Sequence, residues 1–271
     1  MLDEIRKIAV FIKRDFRLLF TYKLAFSTSF FNVVFGLFYF VLFGRMFSST
    51  ASNVLLPYGG DFISYILIGA IGWSFLWSIM NATSVSLRSE MMVGTLESIL
   101  LTSTKILTMM FSYALYGSIF GLLSISLLLI VGYFIFGISA FATASIFTVI
   151  IFILSTAMMF GFGLIFGGLT IWQKNIGGTI VLFQNISMFF CGVYFPISVL
   201  PEFLQPIVHY MPFYYSIEGI RLSLIPSTSL NDILFYIVIL LFLTILFVLL
   251  GVIVLNRGLV KTKKDGSLVF Y

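Results

Sequence analysis

Five stretches of the chain contain no Asp, Glu, Lys, Arg or His: 24–44, 62–87, 106–173, 175–201 and 233–256. About 20 apolar residues rising 1.5 Å each cross the hydrocarbon of a bilayer, so every stretch is long enough for a transmembrane helix. As a single helix, 106–173 would be roughly 100 Å long, far more than a bilayer accommodates. It must fold back, and Gly137-Ile138-Ser139-Ala140 carries the turn signal. The pattern predicts an all-α integral membrane protein with six spans, 24–44, 62–87, 106–136, 141–173, 175–195 and 233–256, in one domain covering 1–271.

Three segments between and before these spans have patterns of their own. In 1–23, Ile5, Ile8, Ala9, Ile12, Phe16 and Leu19 recur at three- and four-residue spacing, with Arg6, Lys7, Lys13, Arg14 and Arg17 mostly on other faces. That is a basic amphipathic helix lying in the interface, serving as a surface anchor or as a docking surface for a cytosolic partner. Residues 196–232 hold Pro196, Pro201, Pro206, Pro212 and Pro226, and proline breaks helices, so a seventh span is excluded. Short re-entrant or interfacial helices on the outer side fit instead, and Glu218 and Arg221, at i,i+3, are spaced to pair across one turn. The third segment, 88–105, is the one sizeable internal loop on the same side as the termini.

Composition narrows the classes. Hydrophobic residues make up 61% and charged residues 9%, which excludes a soluble enzyme and a disordered chain, and a single Cys excludes a disulfide scaffold. A net charge of +5 would suit a nucleic-acid binder, but its distribution points to the membrane. With six spans both basic termini, including Arg257, Lys261, Lys263 and Lys264 in the tail 257–271, face the cytoplasm together with Arg88, Lys105 and Lys174. Only Arg45 and Arg221 of the 15 Lys and Arg then lie outside, as the positive-inside rule requires, whereas an odd count would separate the two basic termini. The reading is a multi-pass protein of the cell membrane with both termini cytoplasmic, contacting lipid and no nucleic acid. The apolar run 24–44 exceeds a signal-peptide core, so it reads as a retained first span.

The chemistry is sparse. No predicted span core carries an ionisable residue, which argues against proton coupling, while sodium held by backbone carbonyls stays open. There is no GxxxxGK[ST] nucleotide loop and no HExxH; the lone His209 and lone Cys191 make no dyad, so no catalytic residue, cofactor or metal ligand is expected in this chain. His209 reads as a satisfied interfacial residue. Gly117 and Gly121, and Gly161, Gly163, Gly167 and Gly168, permit close helix approach, first within the chain and second at a dimer face. Pore-lining rings of charge are missing, which disfavours a channel; a membrane scaffold and a secondary carrier remain alternatives.

Energy, if used, should therefore enter through 88–105. There Glu90-Met-Met-Val-Gly94-Thr95-Leu96-Glu97-Ser-Ile-Leu-Leu reads as a helix end, a break at Gly94 and a short amphipathic helix capped by Thr95. It is either a connecting hairpin or a surface that receives a partner. This loop, the basic N-terminal helix, the six spans, Phe195-Pro196-Ile-Ser-Val-Leu200-Pro201 and Met211-Pro212-Phe-Tyr-Tyr-Ser-Ile-Glu218-Gly-Ile-Arg221 together resemble permease subunits of type-2 ATP-binding-cassette exporters, over almost the whole chain. The resemblance implies two permease copies, or two related chains, each bound to a cytosolic P-loop ATPase that uses ATP and Mg. It implies that Glu90, Gly94, Thr95, Leu96 and Glu97 are the coupling contacts, and that Pro196, Pro201, Pro212, Glu218 and Arg221 belong to the outer re-entrant segment. Many relatives have proline where this chain has Ser103 and Thr104. Uncharged span walls point to a hydrophobic or amphipathic cargo, a drug, antibiotic or lipid-like molecule, with a polysaccharide or glycolipid as the alternative in the same family. Gln173, Phe183, Gln184 and Asn185 are the candidates to face a cavity.

Overall fold

The computed structural model describes residues 2–24, 58, 62–136, 144–174, 176–226 and 228–265, together with 27, 28, 31, 34–36, 38, 39 and 42. Nine α-helices are bounded among them: α1 (Leu2–Thr21), α2 (Phe62–Val93), α3 (Thr95–Leu101), α4 (Ile106–Phe136), α5 (Ile146–Gln173), α6 (Gly177–Phe190), α7 (Gln205–His209), α8 (Pro212–Ser223) and α9 (Leu230–Lys264), with a 3₁₀ turn at Ile197–Val199. No strand occurs among the described residues. The expected first span, 24–44, and the turn at 137–140 lie largely or wholly outside the described residues.

Four helices, α2, α4, α5 and α9, are long and apolar enough to cross a membrane. Two outrun their charge-free windows. The 32 residues of α2 continue past Leu87 to Val93, and the 35 of α9 run through Arg257 to Lys264, so much of the expected tail is helix. Charge ends a hydrophobic window but does not end a helix, which stops only where its last carbonyls find other partners. The fifth predicted span, 175–195, errs the other way. Only 14 residues of 175–195 are helical, about 21 Å, short of the ~30 Å hydrocarbon. The helix stops at Cys191 because Gly192 turns left-handed at φ 66° and its carbonyl is taken by Arg221.

With no water to squeeze out, helices in lipid associate by close packing, and here glycine supplies it. Helices α5 and α9 run parallel, Gly161 against Gly251 and Gly168 against Gly258. A Cβ added at Gly161 would lie 2.6 Å from the Phe247 carbonyl carbon, and one at Gly258 would lie 2.6 Å from the Gly168 oxygen. Helices α2 and α4 form an antiparallel hairpin in which a Cβ on Gly117 would meet that of Ala82 at 2.6 Å, and one on Gly121 would meet the Ser78 hydroxyl at 2.5 Å. Gly163 faces Thr83 and Gly167 faces Met110. The glycine spacing in the sequence thus serves packing within the chain. The outward face of α9, from Phe235 through Val238, Phe242, Ile245 and Leu249 to Ile253, stays exposed and apolar, as a lipid-facing surface does.

The opposite ends of the bundle are closed by polar knots. At one end, Pro196 precedes the 3₁₀ turn, Pro206 stands in the first turn of α7 and Pro212 opens α8, all sites where the missing N–H costs no helical bond. Pro201 lies exposed before α7. From α8 the buried Arg221 donates to the Gly192 oxygen at 2.7 Å, the Val193 oxygen and Tyr65 Oη at 2.9 Å, and the Tyr65 oxygen at 3.2 Å. Its guanidinium sits 3.7 Å from the Tyr65 ring centroid. The Glu218–Arg221 ion pair expected from spacing forms at 3.7 Å, and Glu218 also accepts from Tyr58 at 2.6 Å. Gly69 lets this guanidinium pass, since any Cβ there would collide with Arg221 and the Val193 carbonyl.

Two outcomes are expected. Gly161→Val should lower the unfolding midpoint in detergent, with overpacking costing about 1–3 kcal/mol, whereas Gly132→Ala, whose new methyl meets only Leu67 at 3.9 Å, should leave it unchanged. Arg221→Leu, which removes the cation beside Glu218 and a donor from three carbonyls, should cost about 3–5 kcal/mol by the same measurement.

Candidate functional site

The other end of the bundle gathers α1, the end of α2, α3 and the start of α4 around Glu90. Residues Leu87, Met91, Leu96, Ile106, Met109 and Tyr113 pack there with Leu164 of α5 and Leu255 and Leu259 of α9 into one apolar cluster. Against this floor the Glu90 carboxylate is bonded by residues of three other elements. Arg14 of α1 pairs with Oε1 at 2.7 Å, Tyr113 of α4 donates to Oε1 at 2.9 Å, and the Thr95 hydroxyl of α3 donates to Oε2. Arg14 in turn reaches Asp15 at 2.8 Å and Tyr113 at 3.2 Å, and its guanidinium lies 5.2 Å from the Phe11 ring centroid. Burial holds the Asp15 carboxyl above the ordinary carboxylate range, against the pull of Arg14.

A second tie lies about two turns earlier on α1. Lys7 donates to the Ser103 oxygen at 2.9 Å and pairs with Glu4 at 3.0 Å, and Glu4 accepts from Thr108 at 2.6 Å. The Thr108 hydroxyl, and then Lys7, lower the Glu4 pKa. After α3 a hydroxyl turn stands: Thr102 donates to the Ile99 oxygen at 2.7 Å, and the Thr104 N–H donates back to Thr102 at 3.2 Å. The amphipathic helix predicted from 1–23 is thus present, and its inner face is docked on α4 through Phe11–Tyr113 and Phe16–Tyr116 ring contacts.

The five loop residues singled out from the sequence divide into two groups. Glu90 and Leu96 point inward, Glu90 into the polar hub and Leu96, 3% exposed, into the apolar cluster. Gly94, Thr95 and Glu97 are exposed at the tip, flanked by Met92, Val93 and Leu101, which are 61%, 72% and 84% exposed. The cap differs from expectation. Gly94, at φ 78°, is the N-cap of α3 and Thr95 already belongs to its first turn, its hydroxyl turned back to Glu90 instead of onto α3. A left-handed residue reverses the chain in a single step, which glycine does without strain, leaving no position for a side-chain cap.

Of the residues proposed to face a cavity, Gln173 and Asn185 are exposed and Gln184 is half-buried. Phe183 is engaged in an aromatic cluster with Phe166 at 5.1 Å, Phe213 at 5.6 Å and Phe162 at 5.7 Å. Asn185 sits on an outward face of α6 with Leu182 and Phe189, 60% and 47% exposed. His209 is exposed, edge-on to Tyr214 at 5.5 Å.

The sequence matches the ABC-2 type transporter family over residues 6–225, from α1 through α8. The chain belongs to the ABC-2 type transporter family. No curated protein matches the sequence. In this ABC-2 chain the match runs from the first turn of α1 to just beyond α8, so both polar knots lie within it, while all of α9 lies outside.

Arg14, Asp15, Tyr113 and Tyr65, which organise the two knots, do not stand out in the sequence. Arg14 is one of six basic residues in a row of similar ones, and the tyrosines are lost among 13. The one usable signal was a carboxylate, Glu90, on the apolar side of Gly94.

Removing Arg14 leaves Glu90 and Asp15 facing each other without a cation. Arg14→Ala should loosen α1 by about 1–2 kcal/mol, discounted because Arg14 is 36% exposed, and should accelerate amide hydrogen exchange in α1 about five- to thirtyfold.

Proposed function

We propose that this ABC-2 chain is the permease of an ATP-driven exporter, with six spans, both termini in the cytoplasm and the α2–α3 turn as its coupling element. The basic end, with Arg88, Lys105, Lys174 and Lys261, faces the cytoplasm, in keeping with the positive-inside rule. A separate P-loop ATPase binds there and hydrolyses ATP with Mg, and a second permease copy or a related chain completes the pathway. Residues 24–44 and 175–195 supply the remaining two spans, and 196–232 forms the outer re-entrant segment.

The carrying observation is the tip itself. Met92, Val93 and Leu101 expose apolar surface around Thr95 and Glu97, on the side where charge and water should prevail. Exposed apolar groups with one acid at the centre suit a groove on a protein partner. Behind the tip, the Glu90 hub makes it stiff: movement of the tip is passed to α1 through Arg14, to α4 through Tyr113 and to α2 through the helix itself. A rigid element of this kind converts closure of an ATPase dimer into a change of angle between spans, provided the two states contact the ATPase differently. The cargo is hydrophobic or amphipathic, drug-, antibiotic- or lipid-like. It passes along the uncharged walls near α6, where Asn185 interrupts an outward apolar face.

Glu97→Arg should insert and copurify with its ATPase in its own host, hydrolyse ATP, and export about tenfold less or lower still. Normal export by that variant, or repeated purification with no nucleotide-binding partner, would reject the assignment.

A further inference from the structure

A cavity of about 410 Å³ opens between α2, α5 and α6 at the basic end of the bundle, lined among others by Asn81, Ser84 and Arg88 of α2, Thr170 of α5, and Gly177 and Gly178 of α6. Arg88 is the unusual member. Its Nε is buried without a hydrogen-bond partner, and the ion pairs among the described residues run through Lys7, Arg14 and Arg221 instead. The nearby acid in sequence, Glu90, is held by Arg14 and Tyr113 on another side of α2. A half-buried guanidinium with no ion pair among the described residues is costly to keep charged, which favours an anion in the cavity that Arg88 lines.

The rest of the lining agrees in sign. Ser84 and Thr170 donate their hydroxyls to the Met80 and Phe166 carbonyls, at 2.8 and 2.7 Å, and no carboxylate stands among the lining residues to compete for Arg88. The first turn of α6 opens on the cavity, and its N-cap, Ile176, makes no side-chain cap, which leaves backbone N–H groups there as further donors. A Cβ at Gly178 would meet nothing within 4 Å, so there is open space beside those donors. The cavity lies at headgroup depth: Trp172 is half exposed with Lys261 4.3 Å from its ring centroid, a pair suited to the membrane interface. Towards the bundle centre the lining is apolar, with Val85 and Val181 each more than half exposed and Leu182, next along α6, exposed as well.

We propose that this cavity binds the anionic headgroup of a phospholipid from the leaflet on the basic side. The phosphodiester accepts from Arg88 and the α6 N-terminus while an acyl chain lies along Val85, Val181 and Leu182. This goes beyond the export reading and shares with it only the membrane orientation. A lipid held there ties α6 to α2, two helices whose relative movement would open a path from the leaflet.

The test uses the full chain, without any ATPase, in neutral maltoside micelles. Phosphatidylglycerol should raise the unfolding midpoint by several degrees over phosphatidylcholine with the same acyl chains. Arg88→Gln should weaken the apparent phosphatidylglycerol affinity about tenfold or more without shifting the lipid-free midpoint. Arg257→Gln, an equal loss of charge on an exposed part of α9, should keep the full response. Equal responses to the two lipids, or full phosphatidylglycerol affinity in Arg88→Gln, would overturn the proposal. Should Arg88→Gln fail to fold, Gly178→Leu, which fills the cavity from its open side, must weaken the affinity similarly, and an unchanged affinity overturns the site. Glycerol 3-phosphate alone should have no effect; the same shift with it would replace the lipid by a soluble phosphate. Because no ATPase is present, failure here leaves the export reading standing, and failure to find an ATPase leaves this site standing.

Discussion

Backbone contact between α5 and α9 is the constraint from which the rest of this bundle follows. In lipid there is no hydrophobic gain from joining two apolar helices, so the contact must come from atoms that fit. Gly161, Gly168, Gly251 and Gly258 let the two backbones touch at two levels seven residues apart. A parallel pair of consecutive long helices requires the chain to return from one end of the bundle to the other between them. That return is α6 followed by the proline-punctuated segment to α8. The short α6, the turn at Gly192 and the knot at Arg221 are thus consequences of one close-packed pair.

Polar chemistry is kept to the two ends, and at each end it is concentrated on one guanidinium. Arg221 joins α8 to the turn after α6 and to α2, and it satisfies carbonyls that a helix end would otherwise strand. Arg14 joins α1 to α2 and α4 through Glu90, Asp15 and Tyr113. Burying charge is favourable only when partners are complete, and both knots come close to that, leaving Arg221 Nε and Asp15 Oδ2 as the exceptions. The apolar stretch between them is free to be shaped by packing alone.

The tip is exposed while the carboxylate at its base is bonded from three other elements. Glu90 serves inward bracing and Glu97 faces out, although they stand seven residues apart in one continuous stretch of loop sequence. The left-handed Gly94 divides them, because it ends α2 and starts α3 with no intervening residue. Arg88, two residues before Glu90, turns to a different side of α2 and lines a separate cavity, so one helix end carries a brace and an open cationic pocket on different faces.

Much was legible from the sequence. Charge-free windows predicted α2, α4, α5 and the apolar part of α9, because a bilayer admits only helices of sufficient apolar length. Helical spacing predicted α1, and prolines predicted that 196–232 breaks into short pieces. Membership of the transporter family was carried by order and motif together. What hydropathy could not register was where helices end: α2 and α9 run on into charged residues, α6 stops inside an apolar run, and Thr95 is not a cap. Those boundaries depend on which carbonyls and donors find partners elsewhere, Gly192 with Arg221 and Thr95 with Glu90. Such partners lie up to 160 residues apart, as Tyr58 and Glu218 do. Composition and period therefore determined the helices and their membrane environment. Tertiary contact alone decided the ends, the knots and the direction each loop side chain faces, because a buried polar group is satisfied by its neighbours in space and not by its neighbours in sequence.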